Sequence, residues 1–411
     1  MTKLTQKRSR KMKDKIVIRS SFKDVAAFTA VPSYRSGVIN EAPSEIKHIN
    51  YAVNSNAAFL HPAVQNLVIK SVLKISPDVK LFVLEPDVSQ GTVKLAYFRP
   101  GQYIPIKFKI GSALFVRPFT LCASPTLSQT GDEYLIHIKK MPFDTESAYI
   151  FDNWEKGTRL SSGAPDGTFY YQPLRDEKNI VGITDDFGAA PFYAMACAVA
   201  DGLLDIELTL IYGCRKKNDA VFMDEFIALS QKTEKFKPIF VFSDEKIDKC
   251  ERGFITKALL EKYAPAGKFS VFINGSSGLY TRTAPHISAM RLEKKYVRFG
   301  SGDFGKDFVF LNGFPEKERG KIYLCKVIKD KKIMSLPCRS DETLLAALER
   351  EGIDANACCN SGECGKCRAK LLKGNVFIPK VYDRRRRADI AHGIIYTCSS
   401  YPISNVTISF D

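Results

Sequence analysis

The sequence lacks any segment suited to a membrane or to secretion. No apolar run approaches the roughly 18–20 residues that a membrane-spanning helix needs. The N-terminal segment MTKLTQKRSRKMKDK carries charges with no apolar stretch after them, so we do not expect a secretory signal. Without secretion the eleven cysteines are expected to stay reduced. We therefore predict a cytoplasmic protein.

A nucleic-acid motif is also missing, although the chain is basic. Lys and Arg number 61 against 45 Asp and Glu, which gives a net charge of +16. Two basic runs, residues 3–19 and Arg384–Arg387, are not interleaved with aromatic residues. The excess fits a solvated surface, nucleic acid or lipid binding, or docking of an acidic redox partner protein. We predict the last of these, with no nucleic acid and no transmembrane segment.

No nucleophile with a general base can be recognised, so no catalytic residue of that kind is predicted. The C-terminal part instead holds three close cysteines and a distant fourth. A [2Fe–2S] cluster needs four thiolates, and the spacing C-x4-C-x2-C with a remote cysteine is the plant-type ferredoxin arrangement. Gly362 and Gly365 allow backbone angles that bring amide groups to the cluster sulfurs. The predicted ligands are Cys359, Cys364, Cys367 and Cys398.

Zinc is the alternative metal, because Cys364 and Cys367 alone form a C-x2-C pair. A zinc site more often has a second close pair, whereas Cys398 stands by itself. The iron–sulfur interpretation is therefore preferred. The other cysteines, including Cys358, are predicted to be small buried hydrophobic residues.

The hydrophobic pattern divides the chain into regions of different period. Residues 1–65 form an extension without a catalytic pattern. Residues 66–175 contain short alternating segments typical of an antiparallel barrel. Residues 176–302 alternate apolar strands with helices, which indicates a parallel sheet. A linker is predicted at 303–320 and a last domain at 321–411.

Some local elements are predicted with their ends. Tyr34–Gly37 is predicted to be a loop. Helices are predicted over Asp144–Trp154, Thr283–Lys295 and Asp341–Glu351. The predicted N-cap of the third helix is Ser340 or Asp341, and Gly352 is predicted to end that helix.

Motifs in the barrel region carry a family resemblance. Arg99-Pro-Gly-Gln-Tyr103 precedes Arg117-Pro-Phe-Thr120, and a G-x-P-x-G-x-F turn follows at Gly163–Phe169. With the cysteine loop behind them, the chain resembles the ferredoxin-NADP reductase-like flavoproteins, in particular reductases with the phthalate dioxygenase reductase-like domain order. The resemblance covers about residues 65–411. It implies an antiparallel flavin-binding β-barrel, a parallel α/β nicotinamide-type domain and a β-grasp ferredoxin domain.

The resemblance implies a flavin site in the barrel. Arg117 would hold a flavin phosphate, Phe119 would pack on the isoalloxazine ring, and Thr120 would hydrogen-bond near its N5. Ser147 fits the family's second phosphate segment, whereas Asp144 and Glu146 depart from it. The implied flavin is FAD, with FMN as the alternative.

The implied nicotinamide site keeps part of the family pattern. Gly188 and Pro191 remain in the loop after the first strand of the parallel sheet, and Tyr212 and Arg215 match the segment after the second. By resemblance, Gly188, Tyr212 and Arg215 would contribute to binding NADH or NADPH.

The same site departs from the pattern at three places. Asp185 and Asp186 stand where glycines would approach a pyrophosphate, and carboxylates there would repel it. Asn274 replaces a cysteine, and the glutamate expected near Gly300 is missing. The sequence therefore leaves the binding of NADH or NADPH open.

Taken together, the motifs predict an oxidoreductase that passes electrons between a flavin and a [2Fe–2S] cluster. By resemblance, electrons would come from NAD(P)H and leave to a partner redox protein. The alternative is a non-enzymatic electron-transfer subunit. Its nicotinamide site would be degenerate, and it would take electrons from a partner protein.

Overall fold

The computed structural model describes residues 21–41, 52–142, 144–300, 313–380 and 383–411. The basic run at 3–19 lies outside these residues, as does the larger part of the predicted linker at 303–320. The chain divides into two units, residues 1–55 and 56–411, which are described separately.

Two helices are described near the N-terminus, α1 (Phe22–Glu41) and α2 (Ala52–Leu60). The backbone amide of Ser21 donates to the Asp24 carboxylate, and the Asp24 amide donates to the Ser21 hydroxyl, a reciprocal cap that starts α1. The prediction of a loop at Tyr34–Gly37 is wrong, because α1 continues through these residues. No residue of α1 is buried.

The first sheet of the larger unit is antiparallel, with strand order β4-β3-β6-β1-β2-β5. A bridge between Leu121 and Ile136 brings the two edge strands together, as a barrel requires. Alternate strand residues such as Leu67, Phe82 and Ile104 are fully buried and form its core. The elements are β1 (Gln65–Lys74), β2 (Val79–Pro86), β3 (Tyr103–Ile110), β4 (Ala113–Thr120), α3 (Pro125–Thr130), β5 (Tyr134–Lys139), α4 (Thr145–Asn153) and β6 (Arg159–Ser162).

The second sheet is parallel throughout, with strand order β10-β9-β8-β7-β11-β12. The order reverses between β7 and β11, and ligands of such sheets bind at this switch point, beyond the carboxyl ends of the strands. The elements are β7 (Asn179–Thr184), α5 (Ala189–Ala200), β8 (Glu207–Cys214), α6 (Met223–Lys232), β9 (Phe236–Phe242), β10 (Glu251–Arg252), α7 (Lys257–Tyr263), β11 (Ser270–Asn274), α8 (Ser277–Ala289) and β12 (Val297–Phe299).

One helix of this sheet begins earlier than predicted. The prediction placed it at Thr283–Lys295, whereas α8 occupies Ser277–Ala289. The Ser276 hydroxyl accepts a hydrogen bond from the Leu279 amide and so caps the helix at that point. The cap, and not the later apolar spacing, sets where α8 begins.

The third sheet is mixed, with strand order β14-β13-β19-β15-β17, and β16 pairs with β18 beside it. Its helix, α9, begins after Thr343, whose hydroxyl accepts from the Ala346 amide, so the predicted caps Ser340 and Asp341 are wrong. Gly352 follows α9 with a φ of +69°, as predicted for its end. The elements are β13 (Ile322–Lys329), β14 (Lys332–Arg339), α9 (Leu344–Arg350), β15 (Arg368–Lys373), β16 (Val376–Phe377), α10 (Arg387–Ala391), β17 (Ile394–Tyr396), β18 (Tyr401–Pro402) and β19 (Val406–Ser409).

Of the helices in the described ranges, none combines the length and the apolar character needed to cross a membrane.

Candidate functional site

A cavity of about 610 Å³ lies where the three sheets of the larger unit meet. This size is within the roughly 300–1,000 Å³ of ordinary small-molecule sites. The barrel, the parallel-sheet domain and the cysteine loop all contribute to its wall. Of the predicted site residues, those that line it are Arg117, Phe119, Thr120, Ser147, Cys359 and Cys398.

The barrel wall of the cavity presents apolar and aromatic surface. Phe119 lies on β4 and packs at 5.8 Å, ring centre to ring centre, against Trp154. Tyr103 on the neighbouring strand pairs with Thr120. His137 lines the same cavity, and burial followed by the charge of Lys139 lowers its pKa to about 4. These aromatic side chains and the neutral imidazole fit a flavin ring.

Arg117 lies at the other end of this wall, and the chain itself satisfies its guanidinium. All five N–H donors of an arginine have acceptors here: two reach Glu146, two reach Glu349 and one reaches the Val116 carbonyl. Burial lowers the pKa of Arg117, and the hydrogen bonds that it donates to Glu349 and Glu146 more than reverse this, so its pKa is raised. Arg117 therefore has no donor left for a phosphate unless one carboxylate moves away.

The two carboxylates differ in how readily they could move. Glu349, on α9, has a side chain only 4% exposed and also accepts from the Val116 amide. Its pKa is raised by burial, against the opposing effect of Arg117. Glu146 opens α4 and its side chain is 19% exposed, beside the cavity. The cavity thus fits the flavin ring as it stands, and fits a flavin phosphate at Arg117 once Glu146 turns away.

Ser147 sits beside this position at the start of α4. Its hydroxyl accepts from the Met141 amide and donates to the Asp144 carbonyl. These bonds fix the turn that leads into α4. Ser147 lines the cavity, and its predicted phosphate contact remains a prediction.

The cysteine loop brings the four predicted ligands together. The thiols of Cys364 and Cys398 both contact that of Cys359, and these contacts lower the pKa of Cys359. The Cys398 thiol also contacts the thiol of Cys367, and this contact lowers the pKa of Cys367. The four sulfurs thus lie in one continuous group, as a cluster with four thiolate ligands requires. The Cys358 thiol, which is not a predicted ligand, also contacts that of Cys364.

Backbone amides of the loop turn toward these sulfurs. The amides of Ser361 and Cys364 donate to the Cys359 sulfur at 3.5 and 3.4 Å, and the Lys366 amide donates to the Cys364 sulfur at 3.5 Å. Gly362 and Gly365 make this path possible with φ of +74° and +69°. Such hydrogen bonds stabilise thiolates, so the loop fits a [2Fe–2S] cluster.

The described side chains contain no group of three or more His, Cys, Asp or Glu arranged to enclose a single metal ion. A [2Fe–2S] cluster asks for a wider arrangement, because its four thiolates are shared between two irons. The assignment of Cys359, Cys364, Cys367 and Cys398 as ligands stays a prediction on these grounds.

The cysteine loop rests directly on the barrel. Lys366, between two of the predicted ligands, pairs with Asp166 of the barrel at 2.7 Å. The Cys358 thiol lies 3.8 Å from the Tyr103 hydroxyl and 3.6 Å from the Asp166 carboxylate. The Asn360 amide group donates to the Val116 carbonyl at 2.8 Å.

A further ion pair, Lys107 to Asp354 at 2.6 Å, joins β3 to the segment before the cysteine loop. None of these contacts was predicted from the sequence, and neither was the role of Glu349. Each joins residues far apart in the chain, and no local pattern signals such a pair.

The parallel-sheet side of the cavity is closed by polar side chains of the chain itself. Asp185, at the end of β7, accepts from the amide and the hydroxyl of Ser276 and from the Phe187 amide. Asn274, at the end of β11, donates from its side chain to the Gly188 carbonyl at 3.0 Å. Gly188 lies so close that an added Cβ would stand 1.9 Å from the Asn274 carbonyl oxygen.

Three predicted nucleotide-binding residues do not line this cavity. Gly188 lies in the tight contact with Asn274, Tyr212 is fully buried with its hydroxyl donating to the Val221 carbonyl, and Arg215 is largely exposed and pairs with Asp244. The structure does not bring these residues together with the flavin-side residues. Their role remains a prediction.

Comparison with known families identifies three domains in this chain. Residues 66–171 match the oxidoreductase FAD-binding domain, residues 187–284 the oxidoreductase NAD-binding domain, and residues 327–402 the 2Fe-2S iron-sulfur cluster binding domain. The predicted cofactor classes are confirmed at the level of these domains.

Several curated proteins align with most of the chain. One component of 1,2-phenylacetyl-CoA epoxidase from Escherichia coli (strain K12) is 24% identical over 323 residues, 76% of this chain and 89% of that protein. The glycine betaine monooxygenase reductase subunit of Chromohalobacter salexigens is 23% identical over 332 residues, 77% of this chain and 88% of that protein.

Among solved structures, the chain is similar to phthalate dioxygenase reductase, described as a modular structure for electron transfer from pyridine nucleotides to [2Fe-2S]. The TM-score is 0.59 with 21% identity, over 84% of this chain and 98% of that one. This likeness shows the fold and confirms the predicted fold class. The chain is thus an oxidoreductase with FAD-binding, NAD-binding and 2Fe-2S domains, in the order of phthalate dioxygenase reductase.

Proposed function

We propose that this chain, with the domain order of phthalate dioxygenase reductase, carries electrons from a flavin to a [2Fe–2S] cluster and on to a partner redox protein. The observation that supports this most is the shared cavity. Phe119 and Thr120 of the barrel line it together with Cys359 and Cys398 of the cysteine loop. A flavin supplies the exchange between two-electron and one-electron chemistry, and the protein supplies binding and orientation.

Each part of the chain has its own task in this proposal. Phe119 packs on the flavin ring, Thr120 hydrogen-bonds to it, and Arg117 and Ser147 face its phosphate. The four cysteines of the loop hold the cluster on the other side of the same cavity. The corresponding domains are the extension 1–65, the flavin barrel 66–175, the nicotinamide-type domain 176–302, the linker 303–320 and the ferredoxin domain 321–411.

Contacts between the ferredoxin domain and the barrel hold the two cofactor sites at a fixed separation. The pairs Lys366–Asp166, Lys107–Asp354 and Arg117–Glu349 all cross this boundary. Electron transfer needs close and constant spacing, because a small misplacement of reacting centres is costly. The three ion pairs are therefore positioning contacts in this proposal.

We propose that the partner is acidic and docks near Arg384–Arg387. Arg386 and Arg387 are exposed, and Arg384 pairs with Glu363 of the cysteine loop, so basic groups lie close to the cluster. Charge complementarity raises association rates and makes them sensitive to salt. The reductase subunits among the relatives serve oxygenases by name, so we extend an oxygenase-type partner to this chain. A cytoplasmic setting is also proposed, since all eleven cysteines are free.

The relatives make a pyridine nucleotide the expected electron donor. Asp185 favours a second candidate, an electron-transfer subunit reduced by a donor protein, because this carboxylate accepts from Ser276, which lines the parallel-sheet side of the cavity.

Anaerobic mixing of the reconstituted protein with NADH or NADPH distinguishes the reductase from the electron-transfer subunit. Prompt bleaching of the flavin absorbance followed by cluster reduction would support the reductase and contradict the alternative. No bleaching, with a cluster that dithionite still reduces, would support the electron-transfer subunit.

Charge reversal tests the docking surface. Arg386→Glu with Arg387→Glu should slow cluster reoxidation by an acidic acceptor protein several-fold at low salt and little at high salt. The matched control is Lys331→Glu with Lys332→Glu, the same charge change at the turn between β13 and β14. Equal slowing by both pairs of changes would contradict a local docking surface.

A further inference from the structure

The switch point of the parallel sheet already contains an anion of the chain. The strand order reverses between β7 and β11, and the helices that follow these strands, α5 and α8, start side by side there. The start of a helix attracts anions through its free amides and its dipole. A nucleotide phosphate would be held at such a position in a parallel sheet.

The Asp185 carboxylate occupies this position. One of its oxygens accepts from the Phe187 amide, at 3.1 Å, just before α5. The Ser276 amide, just before α8, donates to both oxygens at 3.1 and 3.0 Å, and the Ser276 hydroxyl adds a third donor. Asp185 is only 6% exposed. One side-chain carboxylate thus accepts from the residue before the N-cap of α5 and from the N-cap residue of α8.

The neighbouring groups hold the Asp185 carboxylate closely between the two loops. Asp186 pairs with Lys139 of the barrel at 2.5 Å, so the charge of this lysine is already neutralised. A Cβ at Gly275 would stand 2.5 Å from an Asp185 oxygen, which shows how closely the carboxylate lies against the second loop. Asn274 ties that loop to Gly188 of the first.

We propose that Asp185 is an internal competitor for the nucleotide phosphate and sets the selectivity of this domain against pyridine dinucleotides. A bound phosphate would have to displace a carboxylate that has four hydrogen bonds, next to a second carboxylate. The inference rests on the proposed electron-transfer function and concerns only its donor side. Electrons then come chiefly from a donor other than NADH or NADPH, of which a reduced redox protein is the class that the domain arrangement allows.

Replacement of Asp185 tests the inference. Asp185→Asn keeps the shape and removes the charge, and Asp185→Gly removes the side chain. We expect NADH and ADP-ribose to bind roughly 10- to 100-fold more tightly to both variants than to the wild type, by calorimetric titration of the holoprotein. Asp205→Asn is the matched control, because Asp205 is exposed and pairs only with Lys178 and Lys235 among the described ion pairs. It should bind both ligands as the wild type does.

Unchanged affinity of a folded Asp185→Asn protein for NADH and ADP-ribose would overturn the inference, as would micromolar binding of NADH by the wild type. If Asp185→Gly does not fold, Asp185→Asn still decides the question. Photoreduction of the flavin in the same proteins separates this test from the proposed function. Loss of cluster reduction after photoreduction would count against the electron-transfer function, whereas normal cluster reduction with unchanged nucleotide affinity would count against the role of Asp185 alone.

Discussion

Removal of the Glu146 charge should strengthen flavin binding, and only for flavins that carry a phosphate. Arg117 is held by Glu146 and Glu349, so this group of three side chains has a net charge of −1. A flavin phosphate that reaches Arg117 must either displace Glu146 or lie beside it. In the Glu146→Gln variant this repulsion is gone, and Arg117 keeps its contact with Glu349.

The magnitude follows from charges at contact distance. Two unit charges about 4 Å apart at an effective dielectric constant of about 20 interact by roughly 4 kcal/mol. Glu146 is 19% exposed and able to turn toward water, which reduces the repulsion. We therefore expect a gain of about 1.4–2.8 kcal/mol, or roughly 10- to 100-fold in the dissociation constant of FMN or FAD.

Fluorescence-quenching titration of the apoprotein with FMN and with riboflavin measures this effect. Riboflavin has the same ring and no phosphate, so its affinity should stay within about twofold of the wild type. Glu155→Gln is the matched control, since Glu155 is an exposed acid just beyond α4. An equal gain for riboflavin and FMN would refute the argument, because the change would then act on the ring and not on the phosphate.

The remaining predictions concern the cluster, the boundary between domains and pH. Cys359→Ser should abolish the [2Fe–2S] absorbance and Cys358→Ser should retain it, because only Cys359 fits the C-x4-C-x2-C spacing and accepts two amide hydrogen bonds of the loop. The reverse result would shift the ligand assignment by one residue. Lys107→Glu should slow flavin-to-cluster transfer several-fold in stopped-flow absorbance, and Asp354→Lys in the same chain should restore it; failure of the double variant to recover would show that the pair does not position the domains. The pKa of His137 is lowered to about 4, so the unfolded chain binds the proton first as pH falls and stability decreases from about pH 6.5 downward, by about 2 kcal/mol at pH 5. His137→Gln should lack this part of the decrease in denaturant titrations.

The cluster loop was predictable because its determinants are local. Three of the four cysteines and both glycines fall within nine residues, Cys359–Cys367, and their spacing alone specifies the loop. Strand periodicity likewise indicated the barrel and the parallel sheet before the family comparison. Local caps were harder to identify: Ser276 and Thr343 start their helices where the apolar pattern alone would not place them.

The contacts between domains were not predictable in this way. Glu349 and Asp354 look like ordinary surface acids in the sequence, and their partners Arg117 and Lys107 precede them by more than two hundred residues. Only the packing of the ferredoxin domain on the barrel makes them neighbours. Asp185 was visible as a departure from the family pattern, whereas its bonds to Ser276 required the arrangement of two loops in space.

The two phosphate positions of the flavoprotein core share one property. At the barrel, Glu146 accepts two hydrogen bonds from Arg117, and at the parallel sheet Asp185 accepts from the amides of Phe187, just before α5, and Ser276, just before α8. In each case a carboxylate of the chain satisfies groups that would otherwise need a ligand phosphate, so the folded protein does not depend on the ligand for its polar contacts. Displacement of the internal carboxylate by a phosphate costs little at Glu146, which borders the cavity. It costs more at Asp185, which is buried with four hydrogen bonds. We therefore expect a flavin phosphate to displace its internal carboxylate more readily than a nucleotide phosphate does, because Asp185 is held more deeply than Glu146.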